Sequence, residues 1–193
     1  MRSLWLLGLA VAVLGSSPAG AIGTKKHWDG VQREPGFGCV NGTSTFGQVI
    51  TIPHTKHTLN KFSFWWVRST NGSMVVRGEV YAWDGSKATG NSLYESAPRT
   101  ISFNDDVFHK ESFAPAGLAV TPGAQYVIFA STDKDYDQCT EGAVIAWGVV
   151  DDSVYPKGTF VFLNSAGDSS KWTTESWKAF GTNDLTFSAK LRR

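Results

Sequence analysis

The stretch LTFSAKL, residues 185–191, decides the fold class of this chain. Apolar and polar residues alternate in it, and successive side chains of a β-strand point to opposite faces of a sheet. The alternation therefore predicts a strand with one buried face. No stretch of twelve residues combines a helical period with helix caps, so no long helix is predicted.

Runs with the same period recur along the chain and are separated by turn residues. Asn71-Gly72 is typical of a two-residue hairpin, and Asp84-Gly85 and Thr121-Pro122-Gly123 mark further turns. About nine short strands joined in this way predict an all-β fold, an antiparallel β-sandwich with jelly-roll topology, as a single domain over residues 22–193. The other predicted strands cover residues 45–52, 59–68, 74–83, 99–103, 107–113, 125–132, 143–150 and 159–163.

The first 21 residues have the features of a secretory signal peptide. Arg2 precedes an apolar run over residues 4–14, and Ala19-Gly20-Ala21 matches a small-residue cleavage site. The run is shorter than the roughly 20 residues that a membrane-spanning helix needs, so no membrane anchor is expected. These features predict a secreted or periplasmic protein.

The charge of the chain disfavours polyanionic partners. The formal net charge is +1, and without Arg2 the basic and acidic residues are equal in number. No segment other than the last four residues concentrates Lys and Arg, as phosphate recognition requires. We therefore expect neither nucleic acid nor an anionic membrane as a partner, and the oligomeric state stays open.

The chain contains two cysteines, Cys39 and Cys139. In an exported protein an even pair with no third thiol predicts one disulfide. A zinc or nucleophilic role lacks support, because no histidine or second cysteine lies near either thiol in the sequence.

Residues 80–90, VYAWDGSKATG, and the following LYES, residues 93–96, resemble a family of uncharacterised exported bacterial β-sandwich domains. FGQ (46–48), LNKFSF (59–64) and LAVTPGAQYV (118–127) also resemble strands of that family, so the resemblance covers roughly residues 44–150. Members have a jelly-roll topology similar to that of carbohydrate-binding modules. The resemblance implies a non-catalytic module and no catalytic residue.

The chain is rich in tryptophan, with eight residues, and aromatic faces are the surfaces on which sugar rings stack. Trp172 and Trp177 lie in a polar segment over residues 164–180, longer than most connections, and are predicted to bind a ligand. The alternative is that this segment folds back as a lid. Trp65 is the third candidate, because strand parity directs Trp66 into the core and Trp65 away from it. Trp83 and Trp147, in apolar strands, are expected in the core.

Asp133, Asp135 and Asp137 alternate, and carboxylates at this spacing suit a hard cation such as calcium. The segment departs from an EF-hand loop, since Gln138 stands at the sixth position and Val144 at the twelfth. The alternative is a solvated turn. Calcium is therefore the one cofactor that the sequence suggests.

These observations favour a secreted, non-catalytic module that recognises extracellular carbohydrate through exposed aromatic residues. One alternative is a structural or interaction protein of the cell envelope, and a second is a small glycan-active hydrolase or lyase with dispersed acids. No G-x-S-x-G or H-E-x-x-H motif is present, so no catalytic residue is predicted.

Overall fold

A computed structural model describes residues 20–40, 42–102 and 104–193. Two sheets, in which neighbouring strands run antiparallel, pack face to face and enclose the main hydrophobic core. The predicted all-β antiparallel sandwich is confirmed. Helical structure in the described residues is limited to short turns: the 3₁₀ helices Lys25–His27 and Asp133–Gln138 and the single-turn helix α1 (Lys171–Thr174).

Strands are numbered in chain order across both sheets. The eight-stranded sheet contains β1 (Gly20–Gly23), β2 (Arg33–Gly38), β4 (Thr58–Arg68), β8 (His109–Phe113), β9 (Leu118–Ala119), β11 (Val144–Val150), β14 (Asp184–Leu185) and β15 (Phe187–Arg192). The seven-stranded sheet contains β3 (Thr45–Thr51), β5 (Met74–Trp83), β6 (Ala88–Glu95), β7 (Arg99–Ile101), β10 (Gln125–Ser131), β12 (Phe160–Leu163) and β13 (Lys178–Ala179).

Most neighbouring strands in both sheets are far apart in the sequence. The eight-stranded sheet has the order β1-β15-β4-β11-β14, with β2 paired to β11 and with β8 and β9 paired to β4. The seven-stranded sheet has the order β13-β12-β3-β10-β5-β6, with β7 paired to β5. Neighbours in the chain such as β3 and β4, or β10 and β11, lie in opposite sheets, so the chain crosses repeatedly between the two layers.

Most predicted strands form within two residues of their expected ends, but the hairpin predicted at Asn71-Gly72 is wrong. The strands on either side of this turn, β4 and β5, belong to different sheets. The turn contacts the start of β11 and the segment before it instead: Thr70 N donates to Val144 O at 3.1 Å, and Ser73 N donates to Thr140 Oγ1 at 3.2 Å. These tertiary contacts direct the chain from one layer to the other.

Strand parity places the main core as expected from the sequence. Phe62, Phe64 and Trp66 alternate along β4 and are fully buried between the sheets. Trp66 packs against Trp147 of β11 with ring centres 4.8 Å apart, and Phe37 of β2 lies 5.0 Å from the same Trp147 ring. Large aromatic side chains that are buried together supply much of the stabilisation of a core.

The predicted disulfide between Cys39 and Cys139 is present. Cys39 follows β2, and Cys139 follows the 3₁₀ helix Asp133–Gln138. The bond joins residues 100 positions apart and ties the end of the eight-stranded sheet to the loop after β10.

The predicted signal peptide lies largely outside the described residues, so it stays a prediction. Gly20 and Ala21, at the expected cleavage site, belong to β1 and pair with Leu191 and Lys190 of β15. Within the described ranges no helix has the length and apolar character needed to cross a membrane.

Removing the disulfide tests its contribution to stability. For a closed loop of this length the chain-entropy treatment gives about 4 to 5 kcal/mol, because the cross-link restricts the unfolded chain. We expect the Cys39→Ala/Cys139→Ala double variant to lose free energy of unfolding of this order, as measured by urea denaturation. Dithiothreitol should lower the stability of the parent protein and leave the variant unchanged. An unchanged midpoint in the variant would contradict the expectation.

Candidate functional site

The segment of residues 164–180 folds back over the outer face of the seven-stranded sheet. It carries α1 and β13 and covers a second hydrophobic cluster on that face. Trp172 is 1% exposed and Trp177 is 7% exposed. The segment is thus the lid that the sequence left open as an alternative, and we call it the 164–180 lid. The buried members of this cluster are Val49, Tyr81, Ala88, Val127, Phe129, Val161, Leu163, Trp172 and Trp177.

Both lid tryptophans are held by hydrogen bonds as well as by packing. Trp172 Nε1 donates to Asp133 Oδ2 at 2.7 Å, and Trp177 Nε1 donates to the Trp172 carbonyl at 2.9 Å. The Phe129 ring lies 5.0 Å from Trp172 and 5.2 Å from Trp177. In this conformation neither indole offers a face to a ligand, so a binding role for them stays a prediction that requires the lid to open.

Asp133 is the buried anchor of the lid. Its carboxylate accepts hydrogen bonds from the hydroxyls of Thr45 and Ser131 at 3.0 and 3.1 Å, and from the Ser165 hydroxyl. The backbone N–H of Gly167 donates to the other carboxylate oxygen at 3.0 Å. Including the Trp172 indole, five donors from β3, β10 and the lid surround one carboxylate. A buried carboxylate requires such donors, because it has lost its hydration.

The three aspartates of the predicted calcium site do not converge. Residues Asp133–Gln138 form two short 3₁₀ turns that meet at a kink at Asp135, where the backbone leaves helical geometry (φ −129°, ψ 29°). Asp135 Oδ2 accepts from Arg77 Nε at 2.7 Å, and Asp137 is exposed. Among the described ranges no group of three or more His, Cys, Asp or Glu is arranged to hold a metal ion. The calcium prediction therefore finds no ligand set.

A network of alternating charges lies beside the lid, around Lys134. Lys134 Nζ donates to Glu79 Oε1 at 3.0 Å and to Glu95 Oε2 at 2.6 Å, and Arg77 pairs with Glu95 and Asp135. Burial raises the pKa of Glu79. Burial opposes the charge of Lys134, but its hydrogen bonds to Glu95 and Glu79 outweigh this and raise its pKa. Each of these carboxylates has a cationic partner, which is the arrangement of a structural ion network.

Replacing Asp133 tests its role as the lid anchor. The Asp133→Ala change leaves the Trp172 indole N–H and several hydroxyls without their acceptor, so we expect the free energy of unfolding to fall by about 3 kcal/mol. Acrylamide should also quench the tryptophan fluorescence more strongly. The matched control is Asp137→Ala on the same helix, which should change stability by less than about 0.5 kcal/mol because that carboxylate is exposed. Equal effects of the two substitutions would refute the anchor role.

Trp65 occupies the opposite side of the molecule, on the outer face of the eight-stranded sheet. Trp65 on β4 lies opposite Lys110 on the neighbouring strand β8, and its indole is half-buried. It lines an open cavity of about 460 Å³. We call this region the Trp65 surface and define it by the side chains around the cavity: Lys25, Trp28, Val31, Arg33, Trp65, Asp106, Val107, Phe108 and Lys110.

A second tryptophan extends the aromatic character of the Trp65 surface. The Trp28 ring packs edge-on against Phe108 with centres 4.5 Å apart, and its Nε1 donates to the Gln32 carbonyl at 2.8 Å. Trp28 also lies against Gly148 of β11, where a Cβ atom would stand 3.0 Å from the Trp28 ring. The glycine therefore lets the indole lie close to the sheet. Val31 and Val107, which flank the cavity, are 70% and 60% exposed.

Lysine ammonium groups lie over the indole rings of the Trp65 surface. Lys25 Nζ is 4.7 Å from the Trp28 ring centre and 5.5 Å from that of Trp65, and Lys110 Nζ is 5.2 Å from the Trp65 ring centre. Such cation–π contacts are worth roughly 0.5–1 kcal/mol at exposed sites, so they orient the lysines without immobilising them.

Sequence reasoning found Trp65 by strand parity but missed its neighbours. Trp28 follows a short 3₁₀ helix with no strand period. Phe108 lies in the predicted strand 107–113 but precedes β8 by one residue, so neither residue has a local pattern that assigns it to this surface. The Lys110 position follows from the β4–β8 pairing, which only the folded sheet supplies.

Comparisons with known proteins are sparse. No protein-family model matches the chain, and no curated protein is similar to it. One solved structure that is similar to this chain is the crystal structure of the cysteine protease and lectin-like domains of Cwp84, a surface layer associated protein of Clostridium difficile. The TM-score is 0.49 at 9% identity, covering 78% of this chain and 32% of that chain.

A second structure of the same clostridial cysteine protease, after propeptide cleavage, gives a TM-score of 0.49 at 10% identity. It covers 84% of this chain and 38% of that one, so the present chain spans about a third of the length of either structure. At these identities and TM-scores neither likeness carries an argument about function.

Proposed function

We propose that the protein is a non-catalytic module that binds extracellular carbohydrate at the Trp65 surface. The observation that carries the proposal is the half-exposed indole of Trp65, which lines an open cavity together with Trp28 and Phe108 on the outer face of a sheet. Aromatic side chains in this position supply a broad apolar face with few rotatable bonds, which suits stacking against the C–H face of a sugar ring.

The elements beneath these aromatic side chains hold them in place, so a ligand can bind without a rearrangement of the backbone. Trp65 belongs to β4, an internal strand that pairs with β8, β11 and β15, and the Trp28 indole is fixed by its hydrogen bond to Gln32. A surface held by rigid elements loses little conformational entropy when a ligand binds. The polar side chains at the rim include Arg33, which forms no salt bridge among the described residues and can donate to sugar hydroxyls.

The disulfide supports a location outside the reducing cytoplasm, where such bonds persist. We propose that the protein is secreted or periplasmic and meets its ligand there. The predicted signal peptide agrees with this location.

Trp65→Ala provides the direct test of the proposed function. We expect affinity electrophoresis through a panel of neutral and acidic soluble polysaccharides to show retardation by at least one polymer. Because stacking by one anchoring indole contributes on the order of 1–2 kcal/mol, the variant should bind that polymer about tenfold more weakly.

Two further variants control for folding and for aromatic character. Trp65→Phe should retain part of the affinity, and Leu93→Ala, which removes an exposed apolar side chain from the other sheet, should retain all of it. Circular dichroism must show that each variant is folded. Retardation by no polymer, or equal retardation of the parent and Trp65→Ala, would overturn the proposal and favour the envelope-protein alternative.

A further inference from the structure

We infer that the ligand of the Trp65 surface is an anionic polysaccharide, whose carboxylate or sulfate groups bind the lysines that flank the stacking indole. The inference rests on the proposed function and specifies the chemical class of its ligand. It is carried by three cations that the fold brings together around Trp65: Lys25, Arg33 and Lys110.

These three cations come from three separate elements, of which two are close together in the sequence and one is distant. Lys25 belongs to the 3₁₀ helix before β2, Arg33 starts β2, and Lys110 lies on β8. All three are exposed, and none forms a salt bridge with a carboxylate of the described residues. Each lysine ammonium has three N–H donors and contacts only ring faces here, so these donors remain available to an anion.

The acidic groups close to the surface have donors of their own. Asp106 Oδ1 accepts from Arg68 Nη2 at 3.0 Å, and Asp105 lies 2.7 Å from His109 Nε2. The Asp29 carboxylate accepts from the backbone N–H groups of Val31 and Gln32, each at 2.8 Å, and these bonds lower its pKa. Glu111, next to Lys110 on β8, pairs with Arg99. Asp106 and Glu111 thus pair with Arg68 and Arg99 rather than with the three cations around Trp65.

The combination of an indole with flanking ammonium groups fits a charged sugar better than a neutral one. Lys25 and Lys110 lie over the Trp65 ring, so a stacking pyranose would displace their ammonium groups to its own rim, where the flexible lysine side chains stay within reach of the ring substituents. A carboxylate or sulfate there replaces water around the ammonium with a charge-assisted hydrogen bond, which is stronger than a bond to a hydroxyl. A neutral sugar leaves all three cations without a counter-charge.

A nucleic acid is the competing polyanion, and the charge distribution disfavours it. A strand of nucleic acid needs a basic groove that follows several successive phosphates. The chain carries a formal net charge of only +1, and the cations of the Trp65 surface form one compact group.

The test compares polymers that share a backbone and differ in charge. Dissociation constants would be measured for polygalacturonate and its fully methyl-esterified form, and for dextran sulfate and dextran. We expect at least one acidic polymer to bind about tenfold more tightly than its neutral partner, and this preference should shrink when salt is raised from 25 to 250 mM, roughly the range over which exposed charges become screened. The polygalacturonate pair tests binding of carboxylate groups, and the dextran sulfate pair tests binding of sulfate groups.

Charge-removing variants locate the effect on the protein. Lys25→Gln/Lys110→Gln should weaken binding of the preferred acidic polymer about tenfold, as two exposed ion pairs allow, and weaken binding of its neutral partner by a clearly smaller factor. Lys25→Arg/Lys110→Arg should preserve most of the affinity. The matched control is Lys61→Gln/Lys190→Gln, which removes the same charge from a facing pair on β4 and β15 and should change binding less than twofold.

The results that would contradict the inference differ from those that would contradict the proposed function. Equal Trp65-dependent binding of neutral and acidic polymers overturns the inference and leaves the proposed function standing. Acidic binding that Trp65→Ala does not weaken is simple ion exchange and overturns both, as does binding of no polymer. A single-stranded oligonucleotide that binds through Trp65 more tightly than any polysaccharide identifies a different partner and also overturns both.

Discussion

The two faces of a β-strand impose the constraint on which the rest of this structure depends. Trp65 and Trp66 are adjacent in β4, so one indole must enter the sandwich and the other must leave it. Trp66 packs against Trp147 in the core, although neither indole N–H has a hydrogen-bond partner in the described part of the chain. Aromatic packing outweighs the cost of these two unpaired donors. The same alternation places Trp65 on the outer face, where it lines an open cavity.

The outer faces of the two sheets have different environments, and this difference locates the candidate site. The 164–180 lid covers the seven-stranded sheet and buries Trp172 and Trp177 over Phe129, with Asp133 as its anchor. That face is a second core. Among the described residues no comparable segment covers the eight-stranded sheet around Trp65, where Trp28 and the neighbouring cations line an open cavity. The proposed binding site therefore lies on the face where half-buried aromatic side chains line an open cavity.

Acidic and basic residues nearly balance in the sequence, but they are not distributed evenly between the interior and the surface. Asp133, Asp135, Glu79 and Asp184 are buried and take part in the internal hydrogen-bond networks. Burial raises the pKa of Glu79 and of Asp184, which accepts hydrogen bonds from Gln48 and from the backbone of Tyr155. Carboxylates that are buried in internal hydrogen-bond networks do not form ion pairs with the cations on the surface around Trp65. A chain of nearly neutral charge thus presents a locally basic surface around Trp65.

The sequence by itself determined most of the long strands, the sandwich class, the cysteine pair and the opposite orientation of Trp65 and Trp66, because period and parity are local properties. It did not predict β2 and β6. The tertiary structure alone decided which outer face is covered. Trp172 reaches an acceptor 39 residues away, so its burial has no local signature. The course of the chain after β4, the divergence of the three aspartates and the grouping of cations around Trp65 likewise depend on contacts between distant segments. Such contacts form only when the two sheets pack together.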